Sequence, residues 1–334
     1  MSQRVVRWGV ISTANIGRIA VIPAIKASRN GEMVGVASRD PEKGRAFAAA
    51  LGIPHVYGSY EALLDAKEVD AVYIPLPNSM HCEWTRRAAE RGKHVLCEKP
   101  LGLSSAQCLQ MGEAAARAGV KLMEAFMYRF HPRTERVLDM VRNGALGELR
   151  LIHSSFTFRL TRPDNIRLKP ELGGGALMDV GCYCVNISRT AAGAEPVEVQ
   201  CVARWGKSGV DDQLAGTMIF PGGCIAQFDC SLSMERRETY TLAGTDAYIT
   251  VPQAFLPGES DAAILEQRGR SERREHSFPG VDEYRLMVEH FADCVLEDRA
   301  PRHGADEAAA NMRVIEALYK SARSGGQVTS VAGR

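Results

Sequence analysis

The triplet Glu98-Lys99-Pro100 follows directly on the apolar run "HVLC" at 94–97, so an ammonium stands where a buried strand is expected to end. Pro100 cannot extend a hydrogen-bonded ladder and turns the chain away at that point. Either Lys99 is an ordinary charged loop residue or it is aimed into a cleft. A second polar group lies in "ALMDVGCYCVN", which is helix-compatible. Asp179 and Tyr183 are spaced i, i+4 and Asn186 lies three further on, so one helix face can carry all three. Gly181 and Cys182 point elsewhere and are small enough for close packing. Carboxylate, phenol and ammonium are the types that bind hydroxyl groups and exchange protons with them. The competing reading is a buried helix whose Asp and Tyr satisfy local backbone groups.

The elements that would position these residues change character along the chain. In the first third, short apolar runs alternate with helical patterns: "RWGVIS", a helix over 15–28, "MVGVAS", then "PEKGRAFAAALG", opened by Pro41 and closed by Gly52. "HVYGS" follows, then a helix capped by Ser59, the strand "DAVYIPLP", a helix over about 79–91, "HVLCE", a helix over about 104–118, and "VKLMEAFM". Strands alternating with helices imply right-handed crossovers and a parallel sheet covered on both faces, the doubly wound dinucleotide-binding pattern. After about residue 126 the pattern shifts. A helix near 132–143 precedes "ELRLIHSSFTFRL", "PVEVQCVARW", "LAGTMIF", "CIAQFDCSLSM", "RETYTLAG" and "AYITV", and helices near 282–297 and 305–323 close the chain. In "CIAQFDCSLSM", Ala226, Phe228, Cys230, Leu232 and Met234 fall on one face, as in a half-buried antiparallel strand. The expectation is therefore an α/β chain in two domains. Residues 1–125 form the parallel, dinucleotide-binding domain. Residues 126–334 form an α+β domain with a large, mostly antiparallel open sheet, whose free face is either solvated or a homodimer surface.

"GVISTANIG" joins the first strand to the first helix, where a pyrophosphate would rest on backbone N–H groups. Strict GxGxxG fails, because its three positions are Ser12, Ala14 and Gly17; small residues still permit close approach along Ser12, Thr13, Ala14, Asn15 and Ile16. At the end of the second strand an NAD site usually has an acid for the ribose diol. Here Ser38 and Arg39 occupy the place, with Lys43 nearby, and a guanidinium and a hydroxyl suit a 2′-phosphate better. This favours NADP over NAD. Asp40 falls one step later and can serve as a helix cap. In "PLPNSMH", Leu76, Pro77 and Asn78 should edge the adenine ribose and nicotinamide. His81 either joins them or contacts backbone at a helix start.

The 334 residues include 45% apolar and 24% charged residues with a formal net charge of +1, which is ordinary for a globular protein and gives no reason to expect nucleic acid or an anionic membrane as partner. Nine scattered cysteines without a CxxC pair, and eight histidines without HxxxH or HExxH spacing, argue against a disulfide framework or a metal cluster and fit a reducing compartment. The start "MSQRVVRWGVIS" has no apolar core of signal-peptide length, and no apolar run approaches the roughly 20 residues of a membrane span, so a cytoplasmic location is expected.

With "EKP" at 98–100, "PLPNSMH" at 75–81, "EAFMYRFHP" at 124–132 and "GGGALMDVGCY" at 173–183, the chain resembles the glucose–fructose oxidoreductase, inositol dehydrogenase and MocA family over essentially its whole length. It looks closest to the branch of NADP-dependent D-xylose 1-dehydrogenases and dimeric dihydrodiol dehydrogenases. The resemblance implies a Rossmann-type N-terminal domain, a C-terminal domain with an open sheet, and Lys99 as the catalytic lysine, with Glu98 beside it at the cofactor. It implies catalytic roles for Asp179 and Tyr183. The family usually has a histidine in place of that tyrosine, and the tyrosine is the dihydrodiol- and xylose-dehydrogenase pattern. On this reading Tyr183 and Lys99 share the proton of the reacting hydroxyl and Asp179 holds a neighbouring one, while Phe126 and Arg129 fall near substrate or cofactor. "RPDNIR" at 162–167 is a polar loop suited to covering a sugar. The implied activity is oxidation of an aldopyranose such as D-xylose at C1. The alternatives are trans-dihydrodiol oxidation, reduction of a ketosugar such as 1,5-anhydrofructose, or a non-catalytic sugar or NADP sensor. A regulator has little need for both Lys99 and Tyr183.

Overall fold

The computed structural model describes residues 4–331 and divides the chain into two compact units. The first contains the chain up to Met127 together with Asp282–Ala309; the second is Tyr128–Val281 with the chain from Ala310 onward.

The first unit carries a six-stranded parallel sheet in the order β3-β2-β1-β4-β5-β6. Its elements are β1 (Val6–Ile11), a π-type turn over Gly17–Val21 continuing into α1 (Ile22–Ala27), β2 (Gly31–Ala37), α2 (Pro41–Leu51), β3 (His55–Tyr57), α3 (Tyr60–Asp65), β4 (Ala71–Ile74), α4 (Asn78–Glu90), β5 (His94–Cys97), α5 (Ser105–Ala118) and β6 (Leu122–Glu124). The punctuation follows the local chemistry. Asp40 accepts from the Glu42 and Lys43 amides and Pro41 takes the first helical position of α2, while Gly52 closes it at φ +59°. Ser59 and Ser104 cap α3 and α5 in the same way. Central strands β1, β4 and β5 are almost wholly buried, as a sheet covered on both faces requires.

The second unit begins with α6 (Pro132–Arg142), β7 (Leu149–Arg159), a π-type turn over Leu177–Gly181 and α7 (Cys182–Ala192). It continues with β8 (Glu198–Trp205), β9 (Asp211–Ile219), β10 (Ile225–Ser231), β11 (Ser233–Gly244), β12 (Tyr248–Pro252), β13 (Ala262–Arg268) and β14 (Glu272–Phe278). The chain then returns to the first unit with α8 (Glu283–Leu296) and the start of α9 (Ala305–Arg323), and the rest of α9 and the short β15 (Thr329–Ser330) complete the second. The nine-stranded sheet runs β14-β13-β12-β11-β7-β10-β9-β8-β15 and is antiparallel except between β7 and β10.

Three features differ from the sequence expectation. The stretch 224–234 is not one strand: the chain leaves β10 at Leu232 and steps over β7, so β10 and β11 flank it. The alternation runs through the break because Leu232 is itself buried. The β13–β14 hairpin has no apolar alternation in its second strand, "ERREHSF", which is the charged outer edge of the sheet. Finally, 282–309 belongs to the first unit, whereas 126–334 reads as one block in sequence. There Phe291 packs 5.4 Å from the Trp8 ring, Asp293 pairs with Arg29, and Asn30 donates to Asp293 at 2.7 Å.

One sheet face packs against helical segments, with Gly181 close against Cys230. The opposite face presents Leu151, Val202, Ile225, Tyr248 and Leu265, all exposed. Among the described residues, no helix is long and apolar enough to cross a membrane.

Candidate active site

In the first unit the turn after β1 shows why its residues are small. The Ser12 amide donates to Ala37 at the end of β2 (3.1 Å), and this bond is made with φ at +108°, a conformation normally reserved for glycine. The Ser12 hydroxyl accepts from the Ala14 amide at 3.3 Å, and the first amide bonded in helical register is that of Arg18, to Ala14. The amides ahead of Arg18 open a helix, where donors outnumber intrahelical acceptors. A non-glycine residue held at positive φ beside such donors fits a backbone cradle for phosphate.

At the end of β2, Ser38 is buried and its hydroxyl donates to the Asp40 carbonyl at 2.7 Å. Asp40 is the cap of α2, so its carboxylate is engaged by backbone and does not stand as a ribose acid. Backbone amides and Lys43, at 3.5 Å, hold it below the usual carboxylate range. Arg39 is exposed and makes no ion pair among the described residues; its guanidinium lies 5.9 Å from the Tyr60 ring centre. An exposed guanidinium with no acid attached, at the strand end that faces the ribose in doubly wound sheets, fits a 2′-phosphate.

The lysine turn is braced at three points. Tyr73 on β4 donates to Glu98 at 2.5 Å, and burial together with that carboxylate pushes the phenol up. Glu124 at the end of β6 accepts the Leu101 amide at 2.7 Å. His81 is fully buried, with Nδ1 2.9 Å from the Pro100 carbonyl and Nε2 2.8 Å from the Leu76 carbonyl. Each ring nitrogen thus faces a protein carbonyl, and the neutral imidazole donates its single N–H to one of them. Burial pulls its imidazole below the ordinary range, against those two carbonyls. Through His81 the turn at Leu76, Pro77 and Asn78 and the turn after Lys99 are held together. Lys99 itself is half-buried at the carboxyl end of β5, where open α/β sheets bind ligands. Phe126, just after β6, is fully buried.

In the second unit Arg129 sits half-buried on a 3₁₀ turn over Met127–Phe130. Asp179 lies in the π-type turn that leads into α7 and accepts from Arg167 Nε at 2.5 Å. In the sequence, 162–167 reads as a polar loop in which nothing distinguishes Arg167 from Arg162. Asn165 accepts the Arg167 amide and so shapes the short 3₁₀ turn that presents the guanidinium. Tyr183 is buried among aromatic rings, with centroids 5.3 Å from Phe156, 5.3 Å from Phe255 and 5.7 Å from Tyr128. Tyr128 in turn donates to Asn186 at 2.6 Å, so Tyr183 and Asn186 share a neighbour on one helix face, as their spacing predicts. Those rings came from three separate segments and carried no signal in the sequence beyond being apolar.

A doubly wound parallel sheet with a phosphate-suited first turn and a lysine at a strand end defines a dinucleotide-dependent oxidoreductase. The chain belongs to the GFO/IDH/MocA family: residues 6–126 match its oxidoreductase domain with an NAD-binding Rossmann fold, and residues 134–250 match its C-terminal domain. It is 41% identical over 322 residues to D-xylose 1-dehydrogenase (NADP(+)) 2 of Haloferax volcanii, covering 96% of this chain and 98% of that one. It is 33% identical over 256 residues to trans-1,2-dihydrobenzene-1,2-diol dehydrogenase of Mus musculus, 76% of each chain. The crystal structure of KijD10, a 3-ketoreductase from Actinomadura kijaniata in complex with NADP and TDP-benzene, superposes with a TM-score of 0.91 at 29% identity, covering 95% of this chain and 98% of that one.

Proposed function

We propose that this oxidoreductase uses NADP to oxidise an aldopyranose, D-xylose first among them, at C1. The observation that carries the reading is a tyrosine at 183, packed in an aromatic cage on the helix that also bears Asp179, in a chain 41% identical to a D-xylose 1-dehydrogenase. Bound NADP⁺ supplies the hydride acceptor. Tyr183 takes the proton of the C1 hydroxyl, and Lys99 donates a hydrogen bond to the same oxygen. A tyrosine acts as a base in its ionised form, which a cation on the shared substrate oxygen favours. Asp179, oriented by Arg167, accepts from a neighbouring hydroxyl and fixes which carbon is presented. Backbone amides at Ser12–Ile16 hold the pyrophosphate and Arg39 the 2′-phosphate, with Lys43 beside it.

In this reading the first unit is the cofactor domain and the second is the substrate and dimerisation domain. The open sheet face with Leu151, Val202, Ile225, Tyr248 and Leu265 pairs with a second copy. All nine cysteines are free thiols, which suits a cytoplasmic location. The test is a panel of aldopyranoses, trans-dihydrodiols and polyols offered to the purified protein with NADP⁺ and NAD⁺ in parallel, read at the reduced-nicotinamide band. D-xylose or a close pyranose with NADP⁺ should give the highest kcat/KM. Turnover confined to a dihydrodiol, or none with any hydroxyl substrate, would remove the sugar assignment. Likeness to a 3-ketoreductase favours a second reading, ketosugar reduction with NADPH, which the reverse assay reads.

A further inference from the structure

Asp211 opens β9 and is 1% exposed, yet it belongs to none of the groups described so far. Its Oδ2 accepts the Leu177 amide at 2.7 Å and its Oδ1 accepts the Tyr319 hydroxyl at 2.8 Å. Leu177 is the first residue of the π-type turn, two positions before Asp179 and six before Tyr183. The first amides of a helical segment lack partners within it, and the helix dipole leaves partial positive charge there, so a carboxylate satisfies both. The approach is close enough to demand a glycine. Gly175 has φ +126°, and a Cβ on it would stand 2.2 Å from Asp211 Oδ1 and 2.9 Å from the Tyr319 hydroxyl. Tyr319 is fixed from behind, its ring stacked 6.4 Å from Trp205 with the Arg323 guanidinium 5.3 Å away.

We propose that Asp211 is a positioning residue for Asp179 and Tyr183: its carboxylate pins the turn that presents them. This rests on the roles given to Asp179 and Tyr183 above. The groups facing Asp211 are Tyr319 from α9, Cys201 from β8, Cys230 from β10, and the Ala176 and Leu177 amides, with Arg323 against the Tyr319 ring; the adjacent Asp212 is paired with Arg204 at 2.8 Å. Burial pushes the Asp211 carboxyl up to about 6, against the hydrogen bonds from Leu177 and Tyr319. Protonation places a hydrogen on a group whose two oxygens both accept, so the anchor loosens as pH falls through that value. Stability moves the other way. A carboxyl raised in the fold contributes most below its unfolded pKa of 3.8, and that contribution is lost as pH rises through about 6. Opposite trends in order at the turn and in stability are the signature of this group.

The experiment compares the parent with Asp211→Asn, whose amide can accept from Leu177 and donate to the Tyr319 oxygen, keeping the shape without the charge. Deuterium exchange of the 176–181 peptide is followed from about pH 7.5 to about pH 5 after correction for intrinsic rates. In the parent, protection should fall about tenfold, the difference between a charge-assisted and a neutral hydrogen bond. In the variant it should be low and independent of pH. The variant's kcat should lie about tenfold below the parent's at neutral pH and lack the acid limb near pH 6, with KM for the cofactor unchanged. Parent-like protection, rate and acid limb in the variant would overturn the proposal. Should the variant fail to fold, pH-independent protection in the parent alone would overturn it equally. Exchange needs no substrate, so the two readings fail separately. The exchange pattern without sugar turnover refutes the proposed function and leaves the anchor; turnover with a flat exchange profile does the reverse.

Discussion

Replacing Arg39 by Asp should move the cofactor preference from NADP toward NAD, and the surroundings of Arg39 make the effect separable from stability. The side chain is exposed, makes no ion pair among the described residues, and has the Tyr60 ring at 5.9 Å as its aromatic neighbour. Losing an exposed cation–π contact costs the fold about 0.5–1 kcal/mol. Toward a 2′-phosphate, a charge-assisted hydrogen bond contributes about 1.5–3 kcal/mol. Solvent screening at an exposed site places the contribution in the lower half of that range, about 1.5–2 kcal/mol, or roughly 10- to 30-fold in affinity. Lys43 keeps its place beside Asp40 and offsets part of the loss, while the new carboxylate repels the 2′-phosphate and accepts from the ribose hydroxyls of NAD. Ser38 and Asp40 are bonded within the turn and should not rearrange. The measurement is the ratio of kcat/KM with NADP⁺ to that with NAD⁺ on one sugar, with the thermal midpoint as a control. Equal losses for both cofactors, or a parent that already prefers NAD⁺, would refute the assignment of this strand end.

Lys99→Met should keep cofactor binding and lose at least about 10² in kcat, since the altered group meets the reacting oxygen and not the phosphates; near-normal turnover in the folded variant would return the lysine to the surface. Tyr183→Phe should keep the packing against Phe156 and Phe255 and remove an ionisation from the pH–rate profile, so an unchanged profile at an unchanged rate would leave the tyrosine structural. Burial, with the charge of Arg133 beside it, pulls the His131 imidazole down to about 4, below its ordinary value of 6.5. The unfolded chain therefore binds more protons between those values, and stability should fall as pH drops from about 6.5 toward 4. His131 also accepts the Arg133 amide as the cap of α6, a task asparagine performs. Denaturant midpoints of His131→Asn should accordingly decline less over that window, and an equal decline would exclude His131 as a source of the acid sensitivity.

The sequence alone determined the parallel sheet and most of its punctuation, because those signals are local. Pro41 with Asp40, Gly52 and Ser59 act within one turn of themselves, and a strand buried on both faces is written as an apolar run whatever surrounds it. The charge-poor turn at Ser12, the lysine after β5 and the Asp179–Tyr183 spacing were legible for the same reason. Their motifs also carried the family. Tertiary structure decided what depends on partners distant in the chain. The His81 ring could be assigned to two carbonyls, at Leu76 and Pro100, only once α4 and the lysine turn were packed. The aromatic cage of Tyr183 joins residues 128, 156 and 255, and Arg167 reaches Asp179 across a loop with no regular period. The last strand, "ERREHSF", hides its pairing because an edge strand needs charge on its surface more than it needs an apolar face. Residues 282–309 look like a continuation of the second domain, yet Trp8, Arg29 and Asn30 offer the ring, the charge and the amide that α8 packs against. Periodicity records that a face will be buried; the identity of what buries it is fixed by three-dimensional packing.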